Sequence, residues 1–393
     1  MNEAFSAWLL VATGACGAIY IIAGYPLLLW KLQGRKAPPV AKDQDFRPTV
    51  SVVMAVFNGE KLVEAKLDTL FAQEYPADHL EIIIVSDGST DRTVPLIRQY
   101  AAAHTNSLYP RIVLIEAPKG GKAACLNLGI ARAQGEVLFF TDVRQPMDPA
   151  ALRHLAANFA DPTIGAVTGE MHLRRGDGGE QADMDLYWRY EIWARSRQSE
   201  IDSLFNTTGC IYAMRRSLAA PIPPDTLTDD AVLPLRAFFS GYRVIFDPAA
   251  IAWDFPAVAG TEFRRRFRTL AGLWQVYARL PRLFTSGNRM RWHFLSHKFG
   301  RLALPWMLLL VLTGSLLAPS GILRTALLTT QAGLVVLAVV NSIIPEASAL
   351  KRLSSPARTF LVMNLAALAA VSVFFLPASI IWKPTQTSPA KTS

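Results

Sequence analysis

The stretch Glu81–Asp91, EIIIVSDGSTD, decides the fold. Ile82, Ile83, Ile84 and Val85 form an unbroken β-branched run, the pattern of a parallel strand covered on both faces. It ends in Ser86, Asp87, Gly88, Ser89, Thr90 and Asp91. In open α/β sheets ligands bind outside the carboxyl ends of the strands, so this loop is placed to hold a small molecule. Gly88 admits close backbone approach, and a carboxylate accepts hydrogen bonds from base N–H groups or ribose hydroxyls. Together these features point to a nucleotide.

Around it the pattern alternates. Val50–Val56, Ile112–Glu116 and Val137–Phe140 read as strands. Lys61–Gln73, Val94–Ala103 and Gly121–Gln134 read as helices, the first offering Leu62, Ala65, Leu67 and Leu70 to the core. This βαβαβ order predicts a Rossmann-like parallel half-sheet. Ile164–Thr168, Ile211–Met214 and Val244–Phe246 add strands, and Arg174–Gln181 (RRGDGGEQ) reads as a surface loop.

The ends of the chain are of another kind. Of 393 residues 51% are hydrophobic, too many for an ordinary soluble enzyme, and the excess lies in blocks. Ala7–Trp30 is long enough to cross a hydrocarbon core of about 30 Å. A cleavable signal peptide is disfavoured, because Met1–Ser6 has no positive region and Lys31, Arg35 and Lys36 follow the run. Leu302–Ala318, Leu323–Ile344 and Phe360–Trp382 are further candidate spans; Pro305 and Pro319 bracket the first, so a re-entrant hairpin with the next stays open.

Basic flanks at Lys31–Lys42 and in Pro345–Arg358 predict an outside N-terminus and a cytoplasmic central domain. Lys383 and Lys391, in a tail that four spans would leave outside, weakly oppose that topology. The net charge of +9 concentrates in Arg264–Arg301 beside Phe263, Phe267, Trp274, Tyr277 and Trp292. That mixture suits helices lying on anionic lipid, or an ordinary amphipathic packing helix; no nucleic-acid module is evident. Cys16, Cys125 and Cys210 are scattered and form no disulfide framework.

Six motifs follow in order: SVVMAVFN (Ser51–Asn58), SDGSTD (Ser86–Asp91), GGKAACLNLG (Gly120–Gly129), FFTD (Phe139–Asp142), TLTDD (Thr226–Asp230) and RRRFR (Arg264–Arg268). The set resembles the family 2 glycosyltransferases, in particular the membrane-embedded branch of cellulose- and hyaluronan-type polysaccharide synthases. The resemblance covers about Pro48–Gly272. It implies an α/β GT-A fold, a Rossmann-like mixed sheet flanked by helices, with transmembrane and interfacial helices added. The expected order is a span in 1–33, a linker in 34–48, the transferase domain in 49–260, interfacial helices in 261–298, three spans in 299–383 and a tail in 384–393.

The resemblance also assigns roles. Asp87 would bond the base, with backbone at Ala55–Asn58 opposite; Lys122 and Asn127 would lie by the donor phosphates. Asp142 matches the first acid of a D-x-D motif and is the candidate ligand for Mg²⁺ or Mn²⁺. Arg144 replaces the second acid, and an arginine cannot ligate a metal. Three readings of Arg144 stay open: it pairs with the diphosphate, the metal is shared by Asp142 with another acid such as Asp254, or it structures its loop with Asp148. Asp230 would be the base that deprotonates the acceptor. Asp229, Thr208 and Gly209, within Asn206–Cys210, would border the acceptor. Arg265 and Arg268 fall in a Q-x-x-R-W element whose Gln is Arg265 and whose Trp is Thr269, leaving Trp274 as a substitute platform.

The expected function is inverting transfer of a sugar from a nucleoside-diphosphate sugar, first of all a UDP-hexose, to a growing polysaccharide or lipid-linked glycan. Single-sugar transfer to a lipid, or a non-catalytic nucleotide-binding scaffold, are the alternatives.

Overall fold

The computed structural model describes residues 3–31, 36–106, 108–173, 181–254, 262–345 and 348–381. The proposed loop Arg174–Gln181, up to its last residue, and the tail lie outside them. The chain forms two compact units, an α/β unit within 36–173 and 195–254 and a helical unit made of the remainder.

Seven strands build the α/β unit: β1 (Val50–Val56), β2 (Leu80–Asp87), β3 (Arg111–Ala117), β4 (Val137–Phe140), β5 (Ile164–Leu173), β6 (Tyr212–Arg215) and β7 (Arg243–Asp254). Their spatial order is β3-β2-β1-β4-β6-β5-β7. β3, β2, β1 and β4 are parallel, as the βαβαβ pattern requires. β6 runs antiparallel to β4 and β5, and β7 parallels β5, so the whole sheet is mixed. Val52, Val53, Ile82–Val85 and Leu138–Phe140 are fully or almost fully buried, which explains why these strands read as continuous apolar runs rather than alternating ones. Because β1, β2 and β4 are parallel, the loops carrying Asn58, Asp87 and Asp142 emerge on one edge.

The first helix, Val63–Phe71, buries Val63, Lys66, Leu67 and Leu70. Leu62 and Ala65, expected inside, are exposed, and a lysine takes the inner position. Two helices were not foreseen: Ala151–Ala157, and Gln181–Ile201, whose weakly patterned sequence hides it.

In the helical unit four helices, among the described residues, are long and apolar enough to cross a membrane: Glu3–Lys31, Arg291–Leu317, Ile322–Val340 and Lys351–Phe374. The second begins at Arg291, upstream of Leu302, passing through a π-turn at Phe294–Phe299. The fourth begins at Lys351, so Lys351, Arg352 and Arg358 lie on a helix rather than in a loop. Hydropathy marks where lipid is tolerated, whereas backbone hydrogen bonding continues through charged residues; Lys351 Nζ in fact caps Asn341 O at 2.9 Å. The basic helix Glu262–Arg279 buries Leu270, Leu273, Val276 and Tyr277, so one face of it packs within the unit.

Helices Glu3–Ile19 and Gly300–Leu317 approach closely at glycines. A Cβ on Gly14 would lie 2.4 Å from Met307 O, and one on Gly314 2.6 Å from Ala7 O. Small residues at such crossings let helix backbones touch. Gly14→Val is expected to cost about 1–3 kcal/mol through overpacking, seen as a lower midpoint of thermal unfolding in detergent.

Candidate active site

On the sheet edge, Asn58 adopts a left-handed conformation (φ 48°). Its Oδ1 accepts from Thr90 N at 2.9 Å, and its own N–H donates to Ser89 Oγ at 3.1 Å. Asn58 thus locks the 86–91 loop. Gly88 is also left-handed (φ 66°), and a Cβ there would meet Lys119 N at 2.9 Å. Asp87, 3% exposed, accepts from the N–H groups of Gly120 and Gly121 at 2.7 and 2.8 Å and from Lys119 Nζ at 2.7 Å. Burial would raise its carboxyl, but these bonds more than offset that and hold it below its ordinary value. The Lys119 ammonium also lies 3.0 Å from the centroid of the Phe57 ring. A cation therefore spans the slot between Phe57 and Asp87 that the sequence reading reserved for a base.

Lys122, at the start of the helix Lys122–Arg132, joins Asp142 Oδ1 at 2.9 Å and Asp229 Oδ1 at 3.2 Å. Burial opposes its charge, yet Asp142 and Asp229 outweigh it and raise its pKa. For Asp142 burial pushes upward, but Lys122 and then Arg144 hold the carboxyl below its usual range.

Asp229 and Asp230 open the helix Asp229–Phe239, where the helix dipole favours acids. Asp229 is buried and faces Tyr212 Oη at 3.4 Å. Burial, then the neighbouring Asp229, push Asp230 up to about 7. The loop expected to border the acceptor packs on this helix: Thr207 N and Oγ1 donate to Asp230 O at 2.8 and 3.0 Å, and Gly209 leaves room for its side chain, a Cβ there lying 3.5 Å from Asp230 Oδ2. Arg195, not anticipated, is buried and donates to Thr208 Oγ1 at 2.6 Å; its charge works to lower the Asp230 carboxyl.

Several expectations are redirected. Asn127 spends its amide on Ile222, donating to its O and accepting from its N, both at 2.8 Å, and so staples the 222 loop instead of facing phosphate. Arg144 Nη2 pairs with Asp254 Oδ2 at 2.8 Å. Asp148 instead accepts from Ala150 N, so it is not the partner of Arg144. Asp254 is fully buried beside the Arg144 guanidinium. Arg144→Ala takes a cation from a fully buried carboxylate, so it is expected to destabilise the unit by about 1–3 kcal/mol, read by urea unfolding, and Arg144→Lys by less. Trp274 packs edge-on against Phe299 and Phe374 in the helical unit, an anchoring role rather than an open platform. Arg265 and Arg268 lie on Glu262–Arg279 of the same unit.

Among the described residues no three His, Cys, Asp or Glu side chains converge as a metal cage. Asp142 remains, more than a third exposed, with one oxygen on Lys122. One carboxylate fits an ion such as Mg²⁺ that completes its shell from phosphate oxygens and water.

Comparison with known proteins agrees with this geometry. Residues 51–221 match the model of glycosyl transferase family 2. A probable glycosyltransferase, YdaM of Bacillus subtilis, is 26% identical over 272 residues, covering 65% of this chain and 63% of that protein. The poly-beta-1,6-N-acetyl-D-glucosamine synthase of Staphylococcus aureus (strain COL) is 26% identical over 237 residues, 58% of this chain and 56% of the synthase. The chain thus spans under two thirds of the length of these relatives. The mannosyltransferase PcManGT of Pyrobaculum calidifontis, solved with GDP-Man and Mn²⁺, superposes with a TM-score of 0.74 at 26% identity, covering 93% of this chain and 99% of that one. The ordered motifs, the mixed sheet and the carboxylates on its edge accord with the glycosyl transferase family 2 domain matched over residues 51–221 and with a GT-A fold.

Proposed function

We propose that the chain is an inverting glycosyltransferase that moves a sugar from a nucleoside-diphosphate sugar to a growing polysaccharide or lipid-linked glycan at a membrane. The observation that carries this reading is the convergence of Lys122, Asp142, Asp229 and Asp230 at one site. A carboxylate raised toward neutral pH suits the base that takes the acceptor hydroxyl proton as the sugar's anomeric carbon is attacked. Lys122 meets the negative charge that develops on the departing diphosphate. Asp142 would hold the divalent ion, whose chemistry is to neutralise that diphosphate. The base of the donor would enter between Phe57 and Asp87, displacing Lys119 from the ring or sharing the carboxylate with it. The apolar helices and the basic helix Glu262–Arg279 support a membrane setting, with the α/β unit on the cytoplasmic side where sugar nucleotides are made.

A UDP-hexose is the first donor to test. The likeness to PcManGT, solved with GDP-Man, along nearly the whole chain favours including GDP-mannose; single-sugar transfer to a lipid acceptor is the second reading. The test is release of UDP or GDP from a panel of sugar nucleotides by the full chain in lipid nanodiscs, with and without EDTA, and with product length read by mass spectrometry. Release from one donor, lost with EDTA, is expected. No release from any donor overturns the reading, and products longer by one sugar only select the second.

A further inference from the structure

Lys66 sits on the inner face of the helix Val63–Phe71, 2% exposed, where an apolar side chain would pack at no electrostatic cost. Among the described residues no carboxylate pairs with its amine. Nζ donates instead to Thr141 Oγ1 at 2.7 Å and to Gln145 O at 2.6 Å, bridging the two ends of the turn that presents Asp142 and Arg144. Thr141 Oγ1 in turn donates to Cys210 O at 2.9 Å. Cys210 closes the loop whose Thr207 and Gly209 lie against Asp230. Thr141 and Cys210 are both buried, so water does not compete for these bonds. Burial pulls the amine down to about 7, against the charge of Asp142, which favours the ammonium. A lysine kept in such a place at that cost holds something in position.

We infer that Lys66 is a positioning residue for transfer: through Thr141 it holds the Asp142 turn in register with the loop beside Asp230. The inference rests on the reading of the site as a glycosyl-transfer centre. A displacement of about 1 Å between the donor-side and acceptor-side groups can cost on the order of 10²-fold in rate while leaving binding nearly unchanged.

The experiment compares Lys66→Met, Thr141→Val and Thr141→Ser with the wild type, as full chains in nanodiscs, measuring kcat, donor KM and calorimetric binding of UDP or GDP. Lys66→Met and Thr141→Val are each expected to lower kcat about 10–100-fold. Donor KM and nucleotide binding should stay within about threefold, the double variant should be no worse than either single, and Thr141→Ser should restore the wild-type rate. Wild-type kcat in both Lys66→Met and Thr141→Val, or losses that multiply in the double variant, overturns the inference. If Lys66→Met does not fold, the Val/Ser contrast at Thr141 decides alone: equal rates overturn it. A wild type inert toward every donor refutes the proposed function instead, and is told apart because the variants are scored only against an active parent.

Discussion

Asp230→Asn is expected to abolish transfer, with kcat falling by about 10³-fold or more while nucleotide binding by calorimetry stays intact. The amide keeps the shape of the side chain and cannot accept the acceptor's proton. The wild-type rate should also follow the ionisation of this group. Burial and the adjacent Asp229 raise its carboxyl to about 7, and only the deprotonated form acts as base. The limiting slope of log kcat/KM against pH is therefore one below that value, with a plateau above it; a rate flat from pH 5 to 8 would remove Asp230 from the role. Asp229→Asn takes away a neighbouring negative charge, so the midpoint of the profile should move to lower pH even if the maximal rate falls. The two variants thus separate base from neighbour.

Lys122→Met is the second large effect. Its ammonium joins Asp142 and Asp229, at 2.9 and 3.2 Å. Without it the donor diphosphate enters a site of three carboxylates with less positive charge to meet it. A loss of about 10²–10³-fold in kcat/KM is expected, shared between a higher donor KM and a lower kcat. Lys122 also lowers the pKa of Asp230, so its removal should shift the activity midpoint to higher pH, the reverse of Asp229→Asn. Opposite displacements of one titration by two neighbours are hard to obtain from misfolding, which is why the pH profile is the decisive measurement. An unshifted midpoint in Lys122→Met would mean that the two groups are not electrostatically joined in the working enzyme.

Much of this site was legible in one dimension because its chemistry lies at strand ends. The buried runs Val50–Val56, Leu80–Asp87 and Val137–Phe140 announce parallel strands, and parallel strands deliver their loops to a common edge. Asp87 and Asp142 could be placed for that reason, whereas Asp230, at the start of a helix, was named from the TLTDD motif alone. The pairings that escaped notice join partners distant in the chain. Asp254 meets Arg144 across 110 positions, Asn127 reaches Ile222 across 95, and Lys66 reaches Thr141 across 75. No local periodicity carries such pairings, and Lys66 was masked further by the assumption that the helix at 63–71 turns only apolar residues inward.

The sequence by itself determined the class of fold, the order of its motifs and the apolar segments, because hydrophobic period and turn chemistry are local properties. Only the tertiary structure decided which charges meet. A side chain such as Arg144 can ligate, pair or face water depending on what the fold sets a few ångströms away, and burying Asp254 beside it turned a candidate phosphate contact into a structural ion pair.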